Sequence, residues 1–85
     1  MEIKEVTQTP NPNTMKIVLQ LSGDDFKPNT YSKVKDDQPD YINEILKIDG
    51  IASIFQAMNF ISVDKKSDVE WDDLLPKVTD TLNEI

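Results

Sequence analysis

General acid and base catalysis needs side chains whose pKa can be brought near neutrality, and this sequence offers only carboxylates, lysines and tyrosines for the task. Its 85 residues include no cysteine and no histidine, which excludes disulfides, thiolate metal sites and imidazole bases. All nine basic residues are lysines, so no guanidinium fork is available for two-point capture of phosphate or carboxylate. Three acidic clusters have the chemistry to hold a hard cation or iron: Asp24 with Asp25, Asp36 with Asp37 and Asp40, and Asp72 with Asp73. Each falls in a loop or near a helix start, where carboxylates stay hydrated or stabilise the helix dipole. With Gly23 and Gly50 as the sole glycines, a phosphate-cradling glycine loop cannot be built, and no nucleophile elbow, dinucleotide fingerprint or zinc spacing is present. The expectation is a protein that is not an enzyme, with no catalytic residue, no cofactor and no metal site; weak iron binding through aspartates is the lesser alternative.

The string Thr9-Pro10-Asn11-Pro12-Asn13-Thr14-Met15-Lys16 suits recognition better than catalysis. Pro10 and Pro12 fix φ, remove two amide donors and push Thr9 and Asn11 towards extended geometry. Asparagines and threonines at such spacing cap turns through side-chain to backbone hydrogen bonds. A stiff polar surface loop results, either a plain connection between strands or a binding loop, and Thr9, Asn11, Asn13 and Thr14 are its candidate partner contacts. Trp71 is either an exposed anchor for a partner or, from its phase with Leu74 and Val78, a core residue. Phe55 and Phe60 are expected in the core. Tyr31 and Tyr41 remain open between wet contact residues and buried ones.

The elements that must position these residues follow from periodicity. Ile3 to Thr7 is a short, partly alternating strand, and Met15, Ile17, Leu19 and Leu21 alternate with polar or β-branched neighbours. From Ser22 to Gln38 the chain is polar and turn-rich, with room for a short edge strand around Tyr31 to Val34. Asp37 or Gln38 is placed to cap a helix with Pro39 in its first turn, continuing through Tyr41, Ile42, Ile45, Leu46 and Ile48. Gly50 suits a left-handed C-terminal residue, so this helix is expected to end near Asp49. Ile51 to Met58 and Phe60 to Val63 read as a tight hairpin turning at Asn59. Trp71, Leu74, Leu75, Val78, Leu82 and Ile85 hold helical phase, and Pro76 must lie in the first turn or kink that helix. The order β-β-α-β-β-α gives an α+β, two-layer sandwich: a largely antiparallel sheet with two helices on one face, in one domain over residues 1–85.

A formal net charge of -7 repels nucleic acid and anionic lipid and suits basic protein partners. No apolar run reaches the roughly 18 residues of a membrane span, and Met1-Glu2-Ile3-Lys4 has no signal-peptide hydrophobic region. A cytoplasmic monomer with a protein partner is the expectation.

Thr9 to Lys16, taken with Ile48-Asp49-Gly50-Ile51, Ser53-Ile54-Phe55, Phe60-Ile61-Ser62-Val63 and Trp71-Asp72-Asp73-Leu74-Leu75-Pro76, resembles the N-terminal domain of Nfu/NifU-type iron-sulfur scaffold proteins. The likeness runs along nearly the whole chain and departs mostly between Ser22 and Asp40. In that family a separate C-terminal domain with a Cys-x-x-Cys motif holds the cluster. The resemblance therefore implies a stand-alone, non-catalytic adaptor for iron-sulfur cluster assembly, docking a scaffold, carrier or client apoprotein and holding no cluster itself. The alternative is a peptide- or protein-binding module outside that pathway, which would use the Pro/Asn loop and the neighbouring sheet edge.

Overall fold

The computed structural model describes residues 2–20 and 28–84. In chain order the elements are β1 (Ile3–Gln8), β2 (Thr14–Leu19), β3 (Asn29–Tyr31), α1 (Asp40–Leu46), β4 (Ile51–Ala57), β5 (Phe60–Lys65) and α2 (Trp71–Asn83). They form the α+β sandwich expected from the sequence, a five-stranded sheet of order β1-β2-β5-β4-β3 with two helices. Every neighbouring pair of strands is antiparallel. The third strand is a short edge strand, as anticipated, but it covers Asn29–Tyr31 rather than Tyr31 to Val34. Leu21, the Asp24 and Asp25 cluster, Phe26 and Ile85 lie outside the described residues.

Pairing register decides which side of each strand is covered. Met15 faces Val63, Ile17 faces Ile61, and on the other flank of β5 Ile54 faces Val63. These residues occupy one face of the sheet and are buried together with Tyr41, Ile42 and Ile45 of α1 and Leu74, Val78 and Leu82 of α2. α1 contacts β4 and α2, and α2 contacts β1. The opposite face carries Thr14, Lys16 and Val18 of β2, Ser62 and Asp64 of β5, and Phe55 of β4. Phe55 is thus not a core residue: it is 36% exposed on the open face, opposite Ser62. Phe60 is half-buried there beneath the Lys16 ammonium, which sits 4.6 Å from its ring centroid.

Local chemistry corrects several element ends. Pro39 is the N-cap of α1, not a residue of its first turn, and no side chain caps that helix. Gln38 instead donates to the Lys33 carbonyl at 2.7 Å and to Asn43 Oδ1 at 2.6 Å. Asn43 in turn donates to the Lys35 carbonyl at 2.8 Å, fastening the approach segment to the helix. The helix stops at Leu46 with Lys47 as C-cap, before Asp49. Gly50 does take a positive φ, of 102°, and a Cβ there would lie 3.3 Å from Val69 Cγ2. In the hairpin it is Met58, with φ of 52°, that adopts the left-handed conformation, not Asn59. Pro76 sits inside α2, beyond its first turn, and has no N–H to offer the Asp72 carbonyl.

Tyr41 is buried, and its hydroxyl has no hydrogen-bond partner among the described residues. Burial, with a smaller contribution from Tyr31, pushes its pKa up to about 12.

Candidate functional site

The connection between β1 and β2 folds on its own side chains. Thr9 Oγ1 lies 3.0 Å from the Asn11 carbonyl and 3.1 Å from the Thr14 carbonyl, and it accepts the Asn11 N–H at 3.2 Å. Asn11 Oδ1 accepts the Asn13 N–H at 2.9 Å, and the Thr14 N–H closes a turn onto the Asn11 carbonyl at 3.1 Å. Such Asx and hydroxyl turns satisfy the backbone N–H groups of Asn11 and Asn13 in a loop where Pro10 and Pro12 supply none of their own.

The far half of the loop is tied to distant parts of the chain. The Lys65 N–H donates to the Asn13 carbonyl at 2.8 Å, and the Lys65 ammonium donates to Asn13 Oδ1 at 3.0 Å. The Thr14 hydroxyl donates to Asp64 Oδ1, while Ser53 Oγ donates to the other oxygen of the same carboxylate at 3.0 Å. One row of hydroxyl, carboxylate and hydroxyl therefore crosses three strands on the open face. At the head of α2, the Trp71 indole N–H donates to the Pro12 carbonyl at 3.0 Å. Pro12 is held from one side by a ring and Asn13 from the other by a strand.

Two adjoining concave surfaces flank the indole. A cleft of about 260 Å³ lies between the loop and Trp71, lined by Gln8, Thr9, Asn11, Pro12 and Met15 among others. A wider groove of about 450 Å³ runs between β1 and α2, past Leu75, Pro76 and Thr79. Gln8, Met15 and Trp71 line both, so the two form one trough.

The four candidate contact residues are thus brought together, and much of their polar capacity is spent inside the loop. Thr9 and Asn11 shape the turn, Asn13 and Thr14 anchor it to β5, and the side-chain NH2 groups of Asn11 and Asn13 make no bond among the described residues. Trp71 combines both readings offered by its position: it packs against the core and also lines the trough. Gln8, Met15 and Lys65 are further neighbours of the loop that local sequence pattern does not single out. The one available signal was the indole itself, whose N–H needs an acceptor wherever the ring is partly covered.

Among the described residues no group of three or more carboxylates is close enough to hold an ion, Asp36, Asp37, Asp40, Asp72 and Asp73 included. An iron-sulfur cluster does not fit this chain, because its irons are held by thiolates, occasionally with histidine, and the sequence has neither residue type. No helix among the described residues is long and apolar enough to cross a membrane.

Comparison with known proteins places this geometry in context. The chain is 54% identical over 84 residues to a protein of Staphylococcus saprophyticus named conserved virulence factor C, an alignment covering 99% of this chain and 23% of that protein. The chain thus spans under a quarter of that curated relative. A crystal structure of a Staphylococcus aureus protein superimposes with a TM-score of 0.92 at 50% identity, covering 96% of this chain and 99% of the other. The solution structure of a NifU-like protein from Saccharomyces cerevisiae shares the fold, with a TM-score of 0.76 at 24% identity over 98% of this chain and 76% of that one. The family described as scaffold protein Nfu/NifU N terminal matches residues 3–85, and the chain belongs to it.

Proposed function

We propose that this chain is a non-catalytic docking module of iron-sulfur cluster assembly, recognising a protein partner through the trough between the Pro/Asn loop and Trp71. Its family and its lack of any cluster ligand support a role through contacts rather than through bound iron. The observation that carries the reading is the bond from the Trp71 indole to the Pro12 carbonyl. It holds a polar, proline-stiffened loop beside a partly accessible aromatic ring, so little conformational freedom is lost when a partner binds. Thr9, Asn11, Asn13 and Thr14 form the polar wall of that surface, with the free amide NH2 groups of the asparagines as its donors. The partner is a scaffold, a carrier or a client apoprotein, and the module acts as a monomer.

The test is calorimetric titration of the chain with purified iron-sulfur scaffold, carrier and client proteins. Saturable binding to one of them is expected, weakened at least about tenfold, or about 1.4 kcal/mol, in the Asn11→Ala, Asn13→Ala double variant. Unchanged affinity in the folded variant would remove the loop from the site, and absence of binding to all three classes would overturn the reading.

A further inference from the structure

Resting on that docking reading, we infer that the trough is completed by an extended basic segment of the partner, added as a sixth strand along the free edge of β1. β1 is the terminal strand of the five-stranded sheet, and its residues from Lys4 to Gln8 are all exposed. Hydrogen-bond alternation fixes what that edge presents. In β2, the Leu19 N–H bonds to the Asn59 carbonyl and the Asn13 carbonyl to the Lys65 N–H, so odd-numbered residues bond towards β5. Even-numbered Lys16 and Val18 then bond towards β1, where they face Thr7 and Glu5. Val6 and Gln8, lying between and beyond them, are left with N–H and C=O groups pointing outwards.

Natural edges are commonly blunted by charge, proline or a bulge. Here the irregularity lies between Ile3 and Glu5, with Lys4 inside it, which protects the first half of β1 only. The second half opens straight onto the trough, since Gln8 lines both of its parts. β3, at the other edge, has three residues and offers a much shorter template.

The side-chain chemistry of the added segment follows from the same register. Val6 and Gln8 face Ile17 and Met15, so they point to the helix-covered side, and Val6 is still 37% exposed there. Residues of a sixth strand opposite Val6 and Gln8 would point the same way, into the groove beside Leu75 and Thr79, and are therefore apolar. Intervening residues would lie beside Glu5 and Thr7 on the open face, where Lys16, the partner of Thr7, has its ammonium 4.6 Å from the Phe60 ring centroid. α2 adds Asp72, Asp73 and Asp80 against the single Lys77, and the whole chain carries -7. The α2 carboxylates lie on the helix-covered side, so lysine or arginine at the intervening and flanking positions is favoured by Glu5 and by the long-range field of the whole chain rather than by contact with α2, and the same field disfavours a second copy of this chain.

The probe is a capped pentapeptide alternating three lysines with two valines, titrated at low salt into the uniformly 15N-labelled full chain. Saturable shifts at Val6 and Gln8 are expected, with their amide exchange slowed at least about tenfold. Replacing the lysines by glutamates, or N-methylating both valine amides, is expected to weaken binding at least about tenfold. Val6→Pro removes an outward donor while leaving the pairing of Thr7 with Lys16, and should reproduce that loss; if it does not fold, the N-methylated peptide carries the same test. Shifts centred on Phe55 and Phe60, equal binding of the glutamate peptide, no saturation at millimolar peptide, or concentration-dependent protection of β1 without peptide would each overturn the inference. Failure of the peptide alongside retained binding of an assembly protein would discard strand addition while leaving the docking reading in place.

Discussion

Trp71 and Pro12 are joined by an indole N–H to carbonyl hydrogen bond of 3.0 Å across 59 residues of sequence. That bond links the start of α2 to the middle of a loop whose far end, at Asn13, is tied to a strand. Trp71→Phe keeps most of the ring and deletes the donor. It should cost about 1 kcal/mol, the net worth of one such bond, read as a lowered urea midpoint, and amide exchange in residues 11–13 should quicken. An unchanged midpoint with unchanged exchange would show that ring packing alone fixes the loop.

Asn11 and Asn13 are structural whatever else they do. Their joint replacement by alanine removes an acceptor for the Asn13 N–H and another for the Lys65 ammonium. A loss of about 1 to 2 kcal/mol is expected from two such bonds, seen as a lower melting temperature. A melting temperature equal to the parent's would mean that prolines alone set the loop.

Phe55→Ala should cost little, below about 1 kcal/mol. The ring lies 36% exposed on the open face, so truncation leaves no sealed cavity. A loss of about 3 kcal/mol or more, the cost of emptying a core site, would show that face to be covered.

Met58 holds its φ of 52° with a side chain that is 71% exposed. Met58→Gly should raise the melting temperature modestly, by the equivalent of about 0.5 to 1 kcal/mol, because the left-handed conformation is strained for an L side chain and free for glycine. Destabilisation instead would reveal a contact made by the methionine.

Tyr41 gives the alkaline limb of stability a definite sign. Its pKa is raised from 10.0 to about 12 by burial, then by Tyr31. Above the unfolded value the unfolded chain loses the phenol proton before the folded one does. The stabilisation is therefore complete below pH 10 and is lost between about 10 and 12, by at most about 1.4 kcal/mol per pH unit. Tyr41→Phe should flatten that limb and, by deleting a buried hydroxyl with no partner among the described residues, hold or raise stability at neutral pH. An unchanged alkaline limb would show that Tyr41 is not its source, and a marked loss at neutral pH would show that the hydroxyl has a partner.

The amino-acid sequence by itself determined the chemistry and most of the secondary structure. Absence of cysteine, histidine and arginine excludes thiolate, imidazole and guanidinium chemistry in any conformation. Strict alternation at Met15, Ile17 and Leu19, and helical phase at Leu74, Val78 and Leu82, left one buried face each, and the structure buries those faces. Period-two reasoning fails where neighbours are both apolar, as Ile54 and Phe55 are. Only pairing decides between them: Ile54 faces Val63 beneath the helices, and Phe55 faces Ser62 in the open. The hairpin was legible as a hairpin, but Asn59 is the better left-handed residue by type, and strand register assigned that conformation to Met58. Loop composition showed a stiff polar turn at Thr9 to Thr14. That β5 enters between β2 and β4, bringing Asp64 and Lys65 to the loop, and that α2 sets Trp71 against Pro12, are long-range events. Local propensity carries no information about partners some fifty residues away, and burial of the shared core is what selects them.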